Sequence, residues 1–249
     1  MNYIYGLLMA WGMFTVIPCP YKGWKEEARG HMLVCFPIVG AIIGAVWFAL
    51  LNATFFVPAY IRAVLIAVIP WFMTGFMHLD GYMDVCDAVM SRRDLETRQK
   101  ILKDSRVGAF AVISIGILIL FQVGGILSVL ESEKGSFGIG LFFIPIVSRI
   151  CAALAVLNLK PMHTSQYSDM KKKAQFNGSL LLMLATVFGC LWGFKMPVCI
   201  LISSLTTMGI YWIGAWYGYK MLGGMNGDIS GYALTLGELL GIVVLAFGW

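Results

Sequence analysis

The chain has 249 residues, of which 59% are hydrophobic and 12% charged, with a mean hydropathy of +0.82. A water-soluble domain carries about 25% charged residues, so the composition excludes an ordinary soluble enzyme. It indicates one integral membrane domain over residues 1–249, an all-α polytopic transmembrane helical bundle. The net charge of +5 comes from basic residues between apolar runs, a pattern that membrane topology explains without nucleic acid as a partner.

In chain order, residues 3–17 are apolar but short, and they read as an interfacial or re-entrant helix ending at Pro18 and Pro20. The N-terminal stretch has no basic leader and no small-residue cleavage site, so a cleaved signal peptide is not expected. A transmembrane helix needs about 20 apolar residues. Runs that meet this fall at 32–52, 58–77, 108–130, 138–158, 178–194, 197–217 and 232–249, seven spans in all. Cys19, Cys35, Cys86, Cys151, Cys190 and Cys199 are scattered singly, with no CxxC pair, and are expected to be small buried apolar residues.

The basic residues set the orientation. Placing 18–31, 79–107, 159–176 and 218–231 on one side gathers 14 of the 18 lysines and arginines there, against Arg62, Lys134 and Lys195 on the other, with Arg149 inside a span. The first side is therefore expected to be cytoplasmic, with the N-terminus inside and the C-terminus outside.

The stretch "HLDGYMDVCDA", residues 78–88, concentrates Asp80, Asp84 and Asp87 in a chain that otherwise avoids charge. If the helix of residues 58–77 continues through Asp87, the i, i+4, i+7 spacing puts the three carboxylates on one face. Such crowding near lipid is tolerable with a cation between them. Hard oxygen donors without a thiolate or imidazole favour Mg²⁺, with Mn²⁺ as the alternative ion. A merely solvated acidic helix end is the plainer alternative.

The following loop, "SRRDLETRQKILKDSR" (91–106), carries six basic residues. An ordinary positive-inside loop accounts for Arg92, Arg93 and Arg98. Lys103 and Arg106, flanking Asp104 and Ser105 at a membrane boundary, suit phosphate chemistry better. A third polar island, "MLGGMNGDISGYALTLGELLG" (221–241), offers Gly223, Gly224, Asn226 and Gly227 as a backbone cradle for an anion, with Asp228 at a helix start. Glu238 lies within an apolar span, where an ionisable residue is a functional candidate. His78 borders the acidic face and could contact substrate, whereas His31 and His163 read as loop residues. Arg149 could pair with an acid of the cluster or bind phosphate. The polar loop 161–178 reads as cytoplasmic, with a substrate lid as the alternative.

In order and approximate spacing, "FTVIPCP" (14–20), "ARGHMLVCFPIVGAIIG" (28–44), "HLDGYMDVCDAVMSRR" (78–93), "ILKDSRVGAF" (101–110), "SR" (148–149) and "MLGGMNGDISGYALTLGELL" (221–240) resemble the cobalamin synthase family, the adenosylcobinamide-GDP ribazoletransferases. The chain departs from the family pattern at Val16, at Ala88 and in the run Ala109–Ala111. The resemblance implies an enzyme of the prokaryotic inner membrane that joins adenosylcobinamide-GDP to α-ribazole or its 5′-phosphate and releases GMP, with Mg²⁺ as its metal. It also leaves room for homo-oligomers or partner enzymes of the same pathway.

The residues and the resemblance agree on one scheme. Asp80, Asp84 and Asp87 hold the metal, and Lys103 and Arg106 stabilise the leaving GMP. Asp104 or Asp228 accepts the proton of the attacking ribazole 3′-hydroxyl. Glu238 supports the site or binds a second metal, and Ser105, His78 and Arg149 contact substrate. A CDP-alcohol phosphatidyltransferase-like enzyme and a cation transporter are the alternatives.

Overall fold

The computed structural model describes residues 1–131, 137–162 and 173–247. His163, Lys134 and the central part of the 161–178 loop lie outside the described residues. The described residues form α1 (Asn2–Phe14), α2 (Arg29–Ala53), α3 (Ala59–Met73), α4 (Met77–Met90), α5 (Leu95–Ile101), α6 (Ala109–Glu131), α7 (Gly140–Asn158), α8 (Lys173–Gly193), α9 (Val198–Leu222) and α10 (Gly227–Ala246). One-turn 3₁₀ helices precede α2 and α7.

Six helices are long and apolar enough to cross a bilayer, and the bent pair α3–α4 makes a seventh if it acts as one broken span. The count of seven therefore stands with that pair included. Helix α1 has 13 residues and extends roughly 20 Å at 1.5 Å per residue, short of the ~30 Å hydrocarbon core. It packs instead on α2. A Cβ at Gly6 would lie 2.7 Å from His31 carbonyl carbon, so the two backbones touch there.

One expectation needs correcting. The second span does not run on as a single helix through the aspartates. It breaks after Met73 and turns by 89° into α4. Gly75 (φ 59°) and Phe76 (φ 62°) both take the left-handed conformation at the corner, which a continuous α-helix does not allow. Pro70, just upstream, removes one ladder donor. The break leaves Asp80 in the first turn of a new helix, where the N-terminal end of the dipole favours negative charge.

Helix α10 is the hub of the bundle, packed against α9, α4, α6 and α7, while α7 also lies along α2. Small residues permit this, as is usual between membrane helices. A Cβ at Gly237 would sit 2.8 Å from the carbonyl oxygen of Thr207 on α9. The α7–α10 seam also carries a buried ion pair. Arg149 Nη1 binds Glu238 Oε1, and both side chains are shielded from solvent. Ser148 Oγ donates to the same Glu238 oxygen at 2.8 Å, and Arg149 donates to the Pro145 carbonyl at 3.2 Å.

Candidate active site

The start of α10 crosses α4 at Gly81. A Cβ there would lie 2.8 Å from Asp228 Cα, so only glycine allows Asp228 to settle beside the acidic face of α4. Asp84 consequently interacts electrostatically with Asp80, Asp228 and Asp87. The i, i+4, i+7 face is realised in α4, and the sequence spacing had missed its fourth member on another helix.

Asn226 positions Asp228. It is the N-cap of α10 and accepts a hydrogen bond from the Ile229 N–H at 3.0 Å. Its Nδ2 donates to Asp228 Oδ2 at 2.7 Å. The glycines divide by role. Gly223 closes α9 in the left-handed conformation, φ 78°. Gly224 lets the chain lie against Met162, whose N–H donates to the Met225 carbonyl at 2.9 Å. Gly227 alone of the three has open space where a Cβ would be, so the approach of an anion to this loop centres on Gly227.

Asp87 has a different job from its two neighbours. Its carboxylate accepts from the N–H groups of Gly108 (2.6 Å) and Ala111 (2.9 Å) at the head of α6. These are donors a helix N-terminus leaves without intrahelical partners. Each Asp87 oxygen thus accepts one backbone N–H, which anchors this carboxylate to α6. Asp80, Asp84 and Asp228 have no such backbone tie among the described residues. The ion pairs among the described residues are Arg29–Glu26, Lys100–Glu96, Arg106–Asp104 and Arg149–Glu238, so none of these three acids is in an ion pair among the described residues.

An oxygen-only set of crowded, uncompensated carboxylates fits a hard divalent cation. No three His, Cys, Asp or Glu side chains among the described residues converge into a complete cage. Mg²⁺ ordinarily takes one or two carboxylates and fills its sphere with water and substrate phosphate, so the donor set fits that mode of binding.

The other expected site residues lie elsewhere. Arg106 grips both oxygens of Asp104, with Nη2 to Oδ2 at 2.6 Å and Nε to Oδ1 at 3.0 Å. That guanidinium holds the Asp104 carboxyl down to about 2, far below the range of an efficient proton acceptor at neutral pH. The Arg106 side chain is 87% exposed, and Lys103 and Ser105 are exposed beside it. Glu238 is ten residues beyond Asp228 on α10, roughly 15 Å along the axis. Its partner is Arg149, so Arg149 meets neither an acid of the cluster nor the surface. This pair joins two helices instead of serving the acidic face.

Two features were not read from sequence. Arg92, Arg93 and Arg98 converge on a pocket of about 790 Å³ that Phe110 and Tyr217 also line. None of the three is in an ion pair among the described residues. Gln99 ties α5 to the end of α9 through the Leu222 carbonyl at 2.8 Å, which fixes Arg98 at the pocket wall. In sequence these arginines are indistinguishable from a positive-inside loop. The second feature is a smaller cavity beside Asp228, lined by His78 with Phe14 and Phe36.

The bundle and this face define a multi-pass helical membrane protein whose polar residues assemble an acidic, oxygen-donor site on α4 and α10 and a guanidinium pocket at the C-terminal end of α4. Residues 6–246 match the family described as cobalamin-5-phosphate synthase, and the chain belongs to that family. It is 38% identical to the adenosylcobinamide-GDP ribazoletransferase of Clostridium botulinum (strain Alaska E43 / Type E3) over 250 residues, 97% of this chain and 96% of the relative. Identity to the protein of the same name from Clostridium perfringens (strain ATCC 13124) is 38% over 241 residues, 95% of each chain. That from Halalkalibacterium halodurans is 29% identical over 250 residues, 94% of this chain and 92% of the relative. No solved structure matches the chain.

Proposed function

We propose that this protein transfers the adenosylcobinamide phosphate group from adenosylcobinamide-GDP to α-ribazole or α-ribazole 5′-phosphate, releasing GMP. The observation that carries the reading is the family match over residues 6–246, which spans the acidic face, the KDSRVG segment and the GGMNGD turn alike. The CDP-alcohol phosphatidyltransferase-like and cation-transport alternatives have no comparable support.

The ribazole 3′-hydroxyl oxygen forms a bond to the phosphorus that carries cobinamide. The bond from that phosphorus to the bridging oxygen of the pyrophosphate breaks, and GMP leaves with the electron pair. The hydroxyl proton passes to a carboxylate. Asp228 is the best-placed acceptor, because Asn226 orients it and it borders the cavity beside α4. General-base help of this kind is worth about 10²–10⁴-fold in rate. Gly227, open and at a helix N-terminus, allows backbone N–H groups to approach a phosphate. Mg²⁺, or Mn²⁺ in its place, held by Asp80 and Asp84, would neutralise the pyrophosphate oxygens and act as a Lewis acid. The guanidinium pocket of Arg92, Arg93 and Arg98 suits the nucleotide end of the donor, with Phe110 and Tyr217 offering aromatic faces to its base.

The same reading places the protein in the prokaryotic inner membrane with this face toward the cytoplasm, on the strength of the lysine and arginine bias. Reconstitution in nanodiscs tests it: GMP release from adenosylcobinamide-GDP should require both acceptor and Mg²⁺. Release that ignores the acceptor would reject the transfer.

A further inference from the structure

We propose that the cavity between α1, α2, α4, α7 and the head of α10 seats the aromatic base of the acceptor nucleoside. This rests on the transferase reading above and deepens it.

The cavity measures about 200 Å³, below the roughly 300–1,000 Å³ of sites for drug-sized ligands. A single fused ring system suits it, and a corrin macrocycle does not. Three rings shape its wall. Phe14 and Phe36 lie 4.2 Å apart between centroids, and His78 is 6.4 Å from Phe14 and 6.0 Å from Phe36. Such a set offers faces and edges to a flat aromatic guest.

The polar inventory decides which base fits. His78 is only 8% exposed, yet its Nε2 is buried with no hydrogen-bond partner among the described residues, a costly state unless a ligand meets it. Ser230 Oγ pairs with Tyr211 Oη at 3.1 Å, and Asp228 Oδ2 receives Asn226 at 2.7 Å, which leaves Asp228 Oδ1 open. Arg149, over the Phe36 ring at 5.9 Å, is held by Glu238. Two polar side-chain atoms are therefore open to a guest, His78 Nε2 and Asp228 Oδ1, while Phe14, Leu33, Phe36, Ala152 and Val156 make the rest of the wall apolar. Such a wall suits a base with an apolar edge better than guanine, which carries donors and acceptors around its edge. The base of α-ribazole is a benzimidazole, apolar along its edge, with one ring nitrogen free once the other carries the ribose. His78, protonated at Nε2, donates to that nitrogen.

The backbone under His78 is fixed. Thr235 Oγ1 donates to the His78 carbonyl at 3.3 Å, and Gly231 packs against the same residue. Gly227 and Asp228 line the same cavity, so a base seated there directs its ribose toward the proton acceptor.

The test is equilibrium dialysis of free 5,6-dimethylbenzimidazole against the full chain in nanodiscs, paired with initial-rate kinetics. The base should bind the unmodified protein and compete with ribazole but not with adenosylcobinamide-GDP. His78→Phe keeps a ring and removes the donor. It should weaken base binding and raise KM for ribazole by about tenfold, the order expected for one lost buried hydrogen bond. KM for the GDP substrate should stay within about twofold. The proposal is overturned if the base does not bind, if it competes with adenosylcobinamide-GDP, or if His78→Phe leaves base binding unchanged. Dialysis needs no turnover. Base binding that depends on His78 in a protein releasing no GMP would therefore uphold the cavity assignment while rejecting the transferase reading.

Discussion

Asp87 on α4 binds the backbone of Gly108 at the head of α6, carboxylate oxygen to amide nitrogen at 2.6 Å, while its second oxygen takes the Ala111 N–H at 2.9 Å. One acid of the aspartate row thus closes a helix end, and a Cβ at Gly108 would collide with that carboxylate. Asp87→Ala should lower stability by about 0.5–2 kcal/mol, the usual cost of a lost N-cap. Asp87→Asn keeps an acceptor and should retain most of the GMP release. Thermal unfolding in detergent alongside the turnover assay checks both, and loss of turnover in Asp87→Asn at unchanged stability would return Asp87 to the metal set.

Asp228 and Asp104 separate cleanly as proton acceptors. Asp228→Asn should reduce kcat by about 10²–10⁴-fold, whereas Asp104→Asn should leave kcat near normal. The pH behaviour follows from the same ion pair. Arg106 lowers the Asp104 pKa to about 2, so any stabilisation from Asp104 is complete above its unfolded value near ~3.9 and is lost as pH falls through about 2. With the pair solvent-exposed the contribution is small. The pH–rate profile between about 5 and 8 should therefore be the same in Asp104→Asn as in the unmodified protein, and a shifted acidic limb would show that Asp104 titrates in the reaction.

Arg149 and Glu238 are paired and buried between α7 and α10. Removing one partner strands a charge, so Glu238→Gln should destabilise the bundle by about 3–5 kcal/mol. Replacing both with apolar residues, Arg149→Met with Glu238→Leu, should cost less than the single change. A double variant that loses as much as the sum of the singles would mean the two residues act independently.

Arg92, Arg93 and Arg98 line one pocket and should act on the donor. Arg93→Ala should raise KM for adenosylcobinamide-GDP by about tenfold, the order of one charge-assisted hydrogen bond, with KM for ribazole unchanged. Steady-state kinetics with each substrate varied separates this from a general loss of folding.

The apolar runs located the long helices to within a few residues, because length and hydropathy alone define a span. The aspartate spacing also survived, since i, i+4, i+7 places side chains on one face of any helix. Relations across helices were another matter. Nothing local marks Glu238 as the partner of Arg149, 89 residues away, or Asp228 as the neighbour of Gly81. Spacing could not tell that Asp87 would be tied to another helix's N–H groups. The corner at Gly75 and Phe76 was hidden because Phe rarely takes positive φ, and the apolar run continues straight through it. The arginine pocket has the same local composition as a solvated loop, and only folding distinguishes them.

The most direct test is GMP release from adenosylcobinamide-GDP by the reconstituted protein and by Asp84→Asn, with α-ribazole and Mg²⁺ present or withheld. The unmodified protein should release GMP only with both present, in equal amount to the joined product, and Asp84→Asn should insert normally and release none. Substantial acceptor-dependent turnover by Asp84→Asn would contradict the role assigned to the acidic face of α4.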